Sequence, residues 1–236
     1  MSISNIVKER LARRIAGEIS LSDDPGKTMR KWREMFHIPQ VILAEKLGVS
    51  PSVISDYEGE RRKSPGIAFV RKIIKALLEI DRERGFKTLS KYKDIFYDLK
   101  MDVILDMKEY EEPVSSFDFA QIIEAENLTN HEKVINGHTI IDSVRAILTL
   151  NSYDFYKLYG FTTERALCFT KVTSGKGPMV AVRVANLKPA VVVLHGLPPE
   201  NVDSLAIEIA KLEKLHLMTT TLALEEMTKK LRKYFK

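Results

Sequence analysis

The chain has 236 residues, 44% hydrophobic and 29% charged, which is enough for two domains with real cores rather than one. It has no run of about 18 apolar residues and no charged leader followed by an apolar block, so neither a spanning helix nor a secretory signal is expected, and a cytoplasmic protein is. Its single cysteine, Cys168, sits among apolar neighbours, which excludes a disulfide framework and a cysteine-based zinc site and suggests a buried structural thiol. The net charge of +5 is unevenly placed: the first 100 residues hold 21 basic and 14 acidic residues, the remainder 16 and 18. A basic first part is the footprint expected when that part faces phosphates.

In chain order, Ile3, Val7, Leu11, Ile15 and Ile19 recur at helical spacing, so an amphipathic helix is expected over 3–19. Ser22-Asp23-Asp24-Pro25-Gly26 breaks it. Short helical patterns fill Lys27 to Glu79, and Asp81–Gly85 reads as the exit from that region. Leu89, Tyr92, Ile95, Phe96, Leu99, Val103 and Met107 again have helical spacing, ended by Glu111-Glu112-Pro113, with a further short helix over 116–125. After residue 127 the texture changes. Residues 139–150 read as a helix. Residues 164–172 and 179–187 read as a strand pair around the turn Thr173–Pro178, and 189–194 as a strand buried on both faces. Helix 201–215, strand 217–221 and helix 223–234 follow, an order that implies a parallel pair with covering helices.

The segment from Ile38 to Glu58 carries the densest punctuation. A helix over 39–47 turns Leu43 and Leu47 inward, and Ala44 is small where a following helix must cross closely. Gly48 can take the positive φ that ends the helix and turns the chain. Ser50 suits the N-cap of the next helix and Pro51 its first position. Val49 and Ile54 have staple spacing. Ile54 and Tyr57 face the core, leaving Pro51, Ser52, Ser55 and Asp56 outward.

These residues resemble the Cro/CI-type (Xre-like) helix-turn-helix family over 27–80. The matches are Met29, Trp32 and Arg33 in the first helix; Gln40, Leu43, Ala44, Leu47, Gly48, Val49 and Ser50 around the turn; and Ile54, Ser55 and Glu58 in the helix that would enter the major groove. The resemblance implies that Gln40 binds a DNA phosphate and that Ser52, Ser55 and Asp56 reach base edges. It also implies that Arg33 pairs with Glu58 for structural reasons and that Arg61, Arg62 and Lys63 grip the backbone. Three residues depart from the family pattern. Pro39 replaces the usual Ser/Thr cap, His37 stands where glycine often ends the first helix, and Asp56 stands where a long polar or basic side chain is common. An aspartate can accept from cytosine N4 but repels phosphate. A fourth helix over 66–79 would turn Ile67, Val70, Ile73, Ile74 and Leu77 inward and Arg71, Lys72 and Lys75 to solvent.

The C-terminal region is less explicit. Thr173–Pro178 lacks the first glycine of a phosphate loop and has Gly177 in place of Ser/Thr, so a hairpin turn is expected, with anion binding by Lys176 the lesser reading. In an open α/β sheet ligands bind beyond the carboxyl ends of strands, which points to His195, Gly196, Asn201, Thr219 and Thr220 as a ligand site. No histidine pair has zinc spacing and no serine sits in a nucleophile elbow, so no metal, cofactor or catalytic set is expected.

The expected fold class is α+β and multidomain: an all-α helix-turn-helix bundle (1–86), a helical connector (87–127) whose apolar stripe either dimerises or packs on the C-terminal domain, and an α/β regulatory domain with a small mixed sheet (128–236). An Xre-like domain followed by an α/β module resembles archaeal regulators with an effector-binding part. The expected function is a non-enzymatic regulator binding double-stranded DNA as a homodimer on a pseudo-palindromic operator, with a small-molecule effector. The competing readings are a small-molecule binder or enzyme with an accessory DNA-binding domain, and a protein–protein adaptor or antitoxin.

Overall fold

A computed structural model describes residues 5–96 and 103–235 of the chain, divided into two compact units, Met1–Asp98 and Leu99–Lys236. Among these residues no helix is long and apolar enough to cross a membrane.

The first unit is helical: α1 (Asn5–Ser20), α2 (Pro25–Met35), α3 (Gln40–Leu47), α4 (Pro51–Glu58), α5 (Ile67–Glu83) and α6 (Lys87–Phe96). Helix α1 buries Val7, Leu11, Ile15 and Ile19 against the shared core, the stripe its spacing predicts; Ile3 lies outside the described residues. Pro25 starts α2, where a missing N–H costs nothing. His37 follows α2 with φ 52°, so it takes the left-handed turn that glycine makes more cheaply. Helix α5 buries Val70, Ile73, Ile74 and Leu77 as expected, but Ile67 is 77% exposed, because it opens the helix on the side away from the core. Asp81 does not lead the chain away. Its buried carboxylate accepts the N–H groups of Thr88 (2.8 Å) and Leu89 (2.9 Å), capping α6, which packs back on α1 and α5.

Two expectations of helix between residues 88 and 150 are corrected. Residues 104–110 do not continue α6 but lie in strand β1 (Ile104–Ser115); Leu99 and the side chains of Tyr92, Ile95 and Phe96 lie outside what is described. β1 is an edge strand, antiparallel to β3 (Val134–Asp142), and its register slips between Ile104 and Asp106 and again between Glu109 and Val114. Such bulges erase the alternation that marks a strand, and they accommodate Pro113, which a regular ladder would not. Residues 139–142 complete β3, and only Ser143–Thr149 form a helix, α8.

Between β1 and β3 lie α7 (Ser116–Ile122), capped by the Ser115 hydroxyl, and the short β2 (Glu126–Asn127). After α8 come α9 (Ser152–Tyr156), β4 (Ala166–Thr170), α10 (Lys176–Val184), β5 (Val191–His195), α11 (Ser204–Leu212), β6 (His216–Thr220) and α12 (Leu224–Tyr234). The six-stranded mixed sheet has the order β1-β3-β4-β5-β6-β2, with β3 to β6 parallel and both edge strands antiparallel.

The expected strand pair around Thr173–Pro178 is a strand–loop–helix instead. β4 and β5 are parallel, with Ala166 opposite Val191, so the chain must cross over the sheet rather than turn back. α10 makes that crossing with Met179 and Val182 buried, and Pro178 sits in its first turn, where its missing N–H is harmless. The central strands are buried on both faces; Ala166, Cys168, Val191, Val193 and Met218 pack with Phe119, Met227, Leu231 and Phe235. Burial pushes the Cys168 thiol far above its ordinary pKa, so it is inert packing.

Candidate nucleic-acid interface

The turn between α3 and α4 forms as the residues dictate. Gly48 adopts φ 68° and ψ 34° and its N–H returns to Glu45 O, ending α3. Leu43, Ala44 and Ile54 are fully buried, and half-buried Val49 packs against their cluster. Ser50 occupies the N-cap of α4, but its hydroxyl is 2.7 Å from that of Ser52 rather than on a backbone N–H. The Tyr57 ring lies on Phe69, with centroids 4.5 Å apart. Gly26 allows the start of α2 to press on the end of α4: a Cβ there would fall on the Tyr57 carbonyl oxygen.

A polar cluster fixes α2, α3 and α4 to one another. Arg33 donates through Nε and Nη2 to Glu58 (2.7 and 2.8 Å) and through Nη1 to Ile38 O (2.8 Å). Gln40 Nε2, at the first position of α3, donates to Glu58 Oε2 (2.7 Å). An amide nitrogen carries two hydrogens, so one N–H of Gln40 remains for another acceptor. Glu58 therefore orients Gln40 from below, a role that its motif position alone did not reveal.

Pro51 and Ser52 are exposed, and Ser55 and Asp56 half-buried, along the outer side of α4. Arg61, Arg62 and Lys63 follow directly and are all exposed. Arg61 folds back over α4, donating to Asp56 Oδ1 (2.7 Å) and Ser55 Oγ (3.1 Å), and Arg62 lies 4.0 Å from Asp56 with its guanidinium over the Tyr57 ring. The acidic residue of the outer face is thus partly neutralised by the arginines beside it. In the sequence Asp56 and Arg61 are five positions apart, and only the turn after α4 brings them together.

A helix-turn-helix family model matches residues 29–78. The chain is 52% identical over 225 residues to a protein of Archaeoglobus fulgidus named as an uncharacterized HTH-type transcriptional regulator, covering 95% of this chain and 97% of that one. It is 47% identical over 226 residues to one of the same description from Methanocaldococcus jannaschii, covering 94% of each. The chain belongs to the HTH-type transcriptional regulators. No solved structure matches it.

In this regulator four of the residues expected to bind a ligand, His195, Gly196, Thr219 and Thr220, lie at the carboxyl ends of β5 and β6, but several of their polar groups already have internal partners. Thr219 Oγ1 donates to Leu194 O and Leu197 O, and Thr220 Oγ1 to Ile123 O (2.7 Å). The half-buried His195 donates from Nε2 to Leu222 O (2.9 Å), and burial lowers its pKa against that bond. Gly196 N–H bonds Thr220 O. The helix expected to open at Asn201 opens at Ser204. Asp203 caps it by accepting the Leu205 N–H (2.9 Å), and Lys176 pairs with Asp203 (3.0 Å). That carboxylate occupies the end where an anion would otherwise sit. His216 is buried between Ser116 and Asn127. Among the described residues no group of His, Cys, Asp or Glu could hold a metal ion.

Proposed function

We propose that this regulator binds double-stranded DNA as a homodimer on a pseudo-palindromic operator, with α4 of each copy in the major groove. Pro51, Ser52, Ser55 and Asp56 face base edges, while Gln40, Arg61, Arg62 and Lys63 hold phosphates. One observation carries this reading: the outer side of α4 is free of core contacts, directly flanked by three exposed cations, and held rigid by the Arg33–Glu58–Gln40 cluster. Rigid presentation of a short face is what direct readout requires.

The face is small and carries an acid, so one copy supplies little specificity. Two half-sites one helical turn apart, about 10 base pairs centre to centre, supply the rest. The C-terminal unit senses a small molecule and modulates that binding. The deciding experiment is selection from fragmented genomic DNA by the purified full chain at physiological salt. Enrichment of a two-fold symmetric site is expected; recovery of only unrelated fragments would overturn the reading.

A further inference from the structure

The second unit contains a cleft of about 460 Å³, lined by none of the residues that the sequence pointed to as a ligand site. That volume is within the range of about 300–1,000 Å³ typical of sites for small organic molecules. Its floor is Phe169, near the carboxyl end of β4, and Ser143, the first residue of α8. Helices α8 and α10 form its walls, chiefly through Ile147, Ala181 and Val184, with Leu150 just after α8, and Phe155 of α9 stands at one end. None of the residues lining it carries a charge.

Two features set the cleft apart from a packing defect. Ile147 and Val184 are 74% and 76% exposed at its lips. Ser143 is only 6% exposed, and its hydroxyl has no hydrogen-bond partner among the described residues. Asp142 already caps α8 by accepting the Arg145 N–H (3.1 Å), so the Ser143 hydroxyl is not needed there. Native proteins leave few buried hydroxyls unpaired, and those few commonly mark a functional group.

We infer that this cleft binds an uncharged, largely apolar small molecule bearing a hydrogen-bonding group that pairs with the Ser143 hydroxyl. The absence of lining charge selects against phosphates and carboxylates, which would lose their hydration without compensation. The concavity selects a small molecule over a second copy. A flat apposed surface would cover Ile147 and Val184 but leave the floor at Phe169 and Ser143 unfilled. The inference rests on the ligand-sensing part of the function proposed above. Its test uses no DNA, so the two can fail separately.

The probe is N-phenyl-1-naphthylamine, which is uncharged and apolar and carries one N–H, titrated into the full chain with fluorescence as the readout. Saturable binding of one probe per chain is expected. Gly177 lines the cleft and has nothing within 4 Å of where a Cβ would stand, so Gly177→Leu adds bulk without a backbone clash. It should weaken the probe at least tenfold without lowering the melting temperature, and Ala181→Phe should do the same from the α10 wall. Ser143→Ala should weaken the probe severalfold while leaving 1-benzylnaphthalene, which has no N–H, as tight as before. Absence of saturable binding, or equal binding by both filled variants, would overturn the inference. So would light scattering in which the filled variants lose a dimer that the native chain forms, since that makes the cleft a contact between copies.

Discussion

Arg33 and Glu58 meet in a two-pronged ion pair, Nε to Oε1 at 2.7 Å and Nη2 to Oε2 at 2.8 Å, with their side chains only 9% and 3% exposed. Removing one member of such a pair strands the other charge in the interior, at a cost of about 3–5 kcal/mol, whereas replacing both with apolar groups is often neutral. Arg33→Leu should therefore destabilise the N-terminal unit by about that amount. The double variant Arg33→Met/Glu58→Leu should lose less than Arg33→Leu alone. Denaturant unfolding measures both, and a double variant less stable than either single would show that the pair stabilises the fold outright.

Asp56 restrains two of the cations proposed to hold phosphate. In Asp56→Ala, Arg61 and Arg62 lose that tether and an acid leaves the face of α4. Affinity for duplexes of any sequence should rise at low salt, and discrimination between sequences should fall. Arg61→Ala and Arg62→Ala should weaken all duplex binding and flatten the plot of log affinity against log salt by about 0.9 per lost phosphate contact. Fluorescence anisotropy over a salt series reads the slope, and an unaltered slope would place these arginines off the backbone.

Two glycines in helices should respond oppositely to alanine. At Gly26 the added Cβ falls on the Tyr57 carbonyl oxygen, backbone that cannot give way without moving α4. Gly26→Ala should cost about 1–3 kcal/mol, as overpacking does. Gly17 lies inside α1 with nothing within 4 Å of a Cβ. Gly17→Ala should gain about 0.5–1 kcal/mol from helix propensity alone. Thermal melts of the two variants compared with the native chain decide the matter.

The helix-turn-helix was legible because its signals are local. Gly48, Ser50 and Pro51 each report a backbone state within a residue or two, and the buried set Leu43, Ala44 and Ile54 follows from one helical period. The second unit was only partly so. Met179–Val184 is apolar and β-branched enough to read as a strand, and what makes it a helix is the parallel pairing of β4 with β5, a fact of topology rather than of any residue. β1 hid its period behind two register slips. The cleft at Ser143 had no signature at all, because its walls come from α8, α9 and α10, whose apolar residues read as ordinary core.

The second unit should lose stability in mild acid, and the cause lies at β1, β3 and α12. His138 is fully buried, with Nε2 3.0 Å from Asp106 Oδ2 and Nδ1 2.9 Å from the Tyr110 hydroxyl. An ionised Asp106 only accepts, so Nε2 carries the ring proton and Nδ1 accepts from Tyr110, the arrangement of a neutral imidazole. Burial pushes the His138 pKa below 6.5 despite the bond to Asp106. Burial alone would raise the Asp106 carboxyl, but hydrogen bonds from His138 and Arg232 outweigh it and hold the pKa below 3.8. Both groups bind protons more weakly folded than unfolded, so stability rises with pH wherever either titrates. The stability tied to the neutral imidazole is intact above pH 6.5 and is lost as the pH falls from there towards the folded-state pKa. The carboxylate contribution is intact above about pH 3.8 and is lost below it. His195 and His216 are also lowered and act in the same direction. His138→Gln should therefore lower stability at pH 7.5, where the ring's bonds are lost, yet reduce the decline between pH 7.5 and 5. Melting temperatures across that interval measure the slope, and a slope equal to that of the native chain would mean that the buried imidazole binds its proton as readily folded as unfolded.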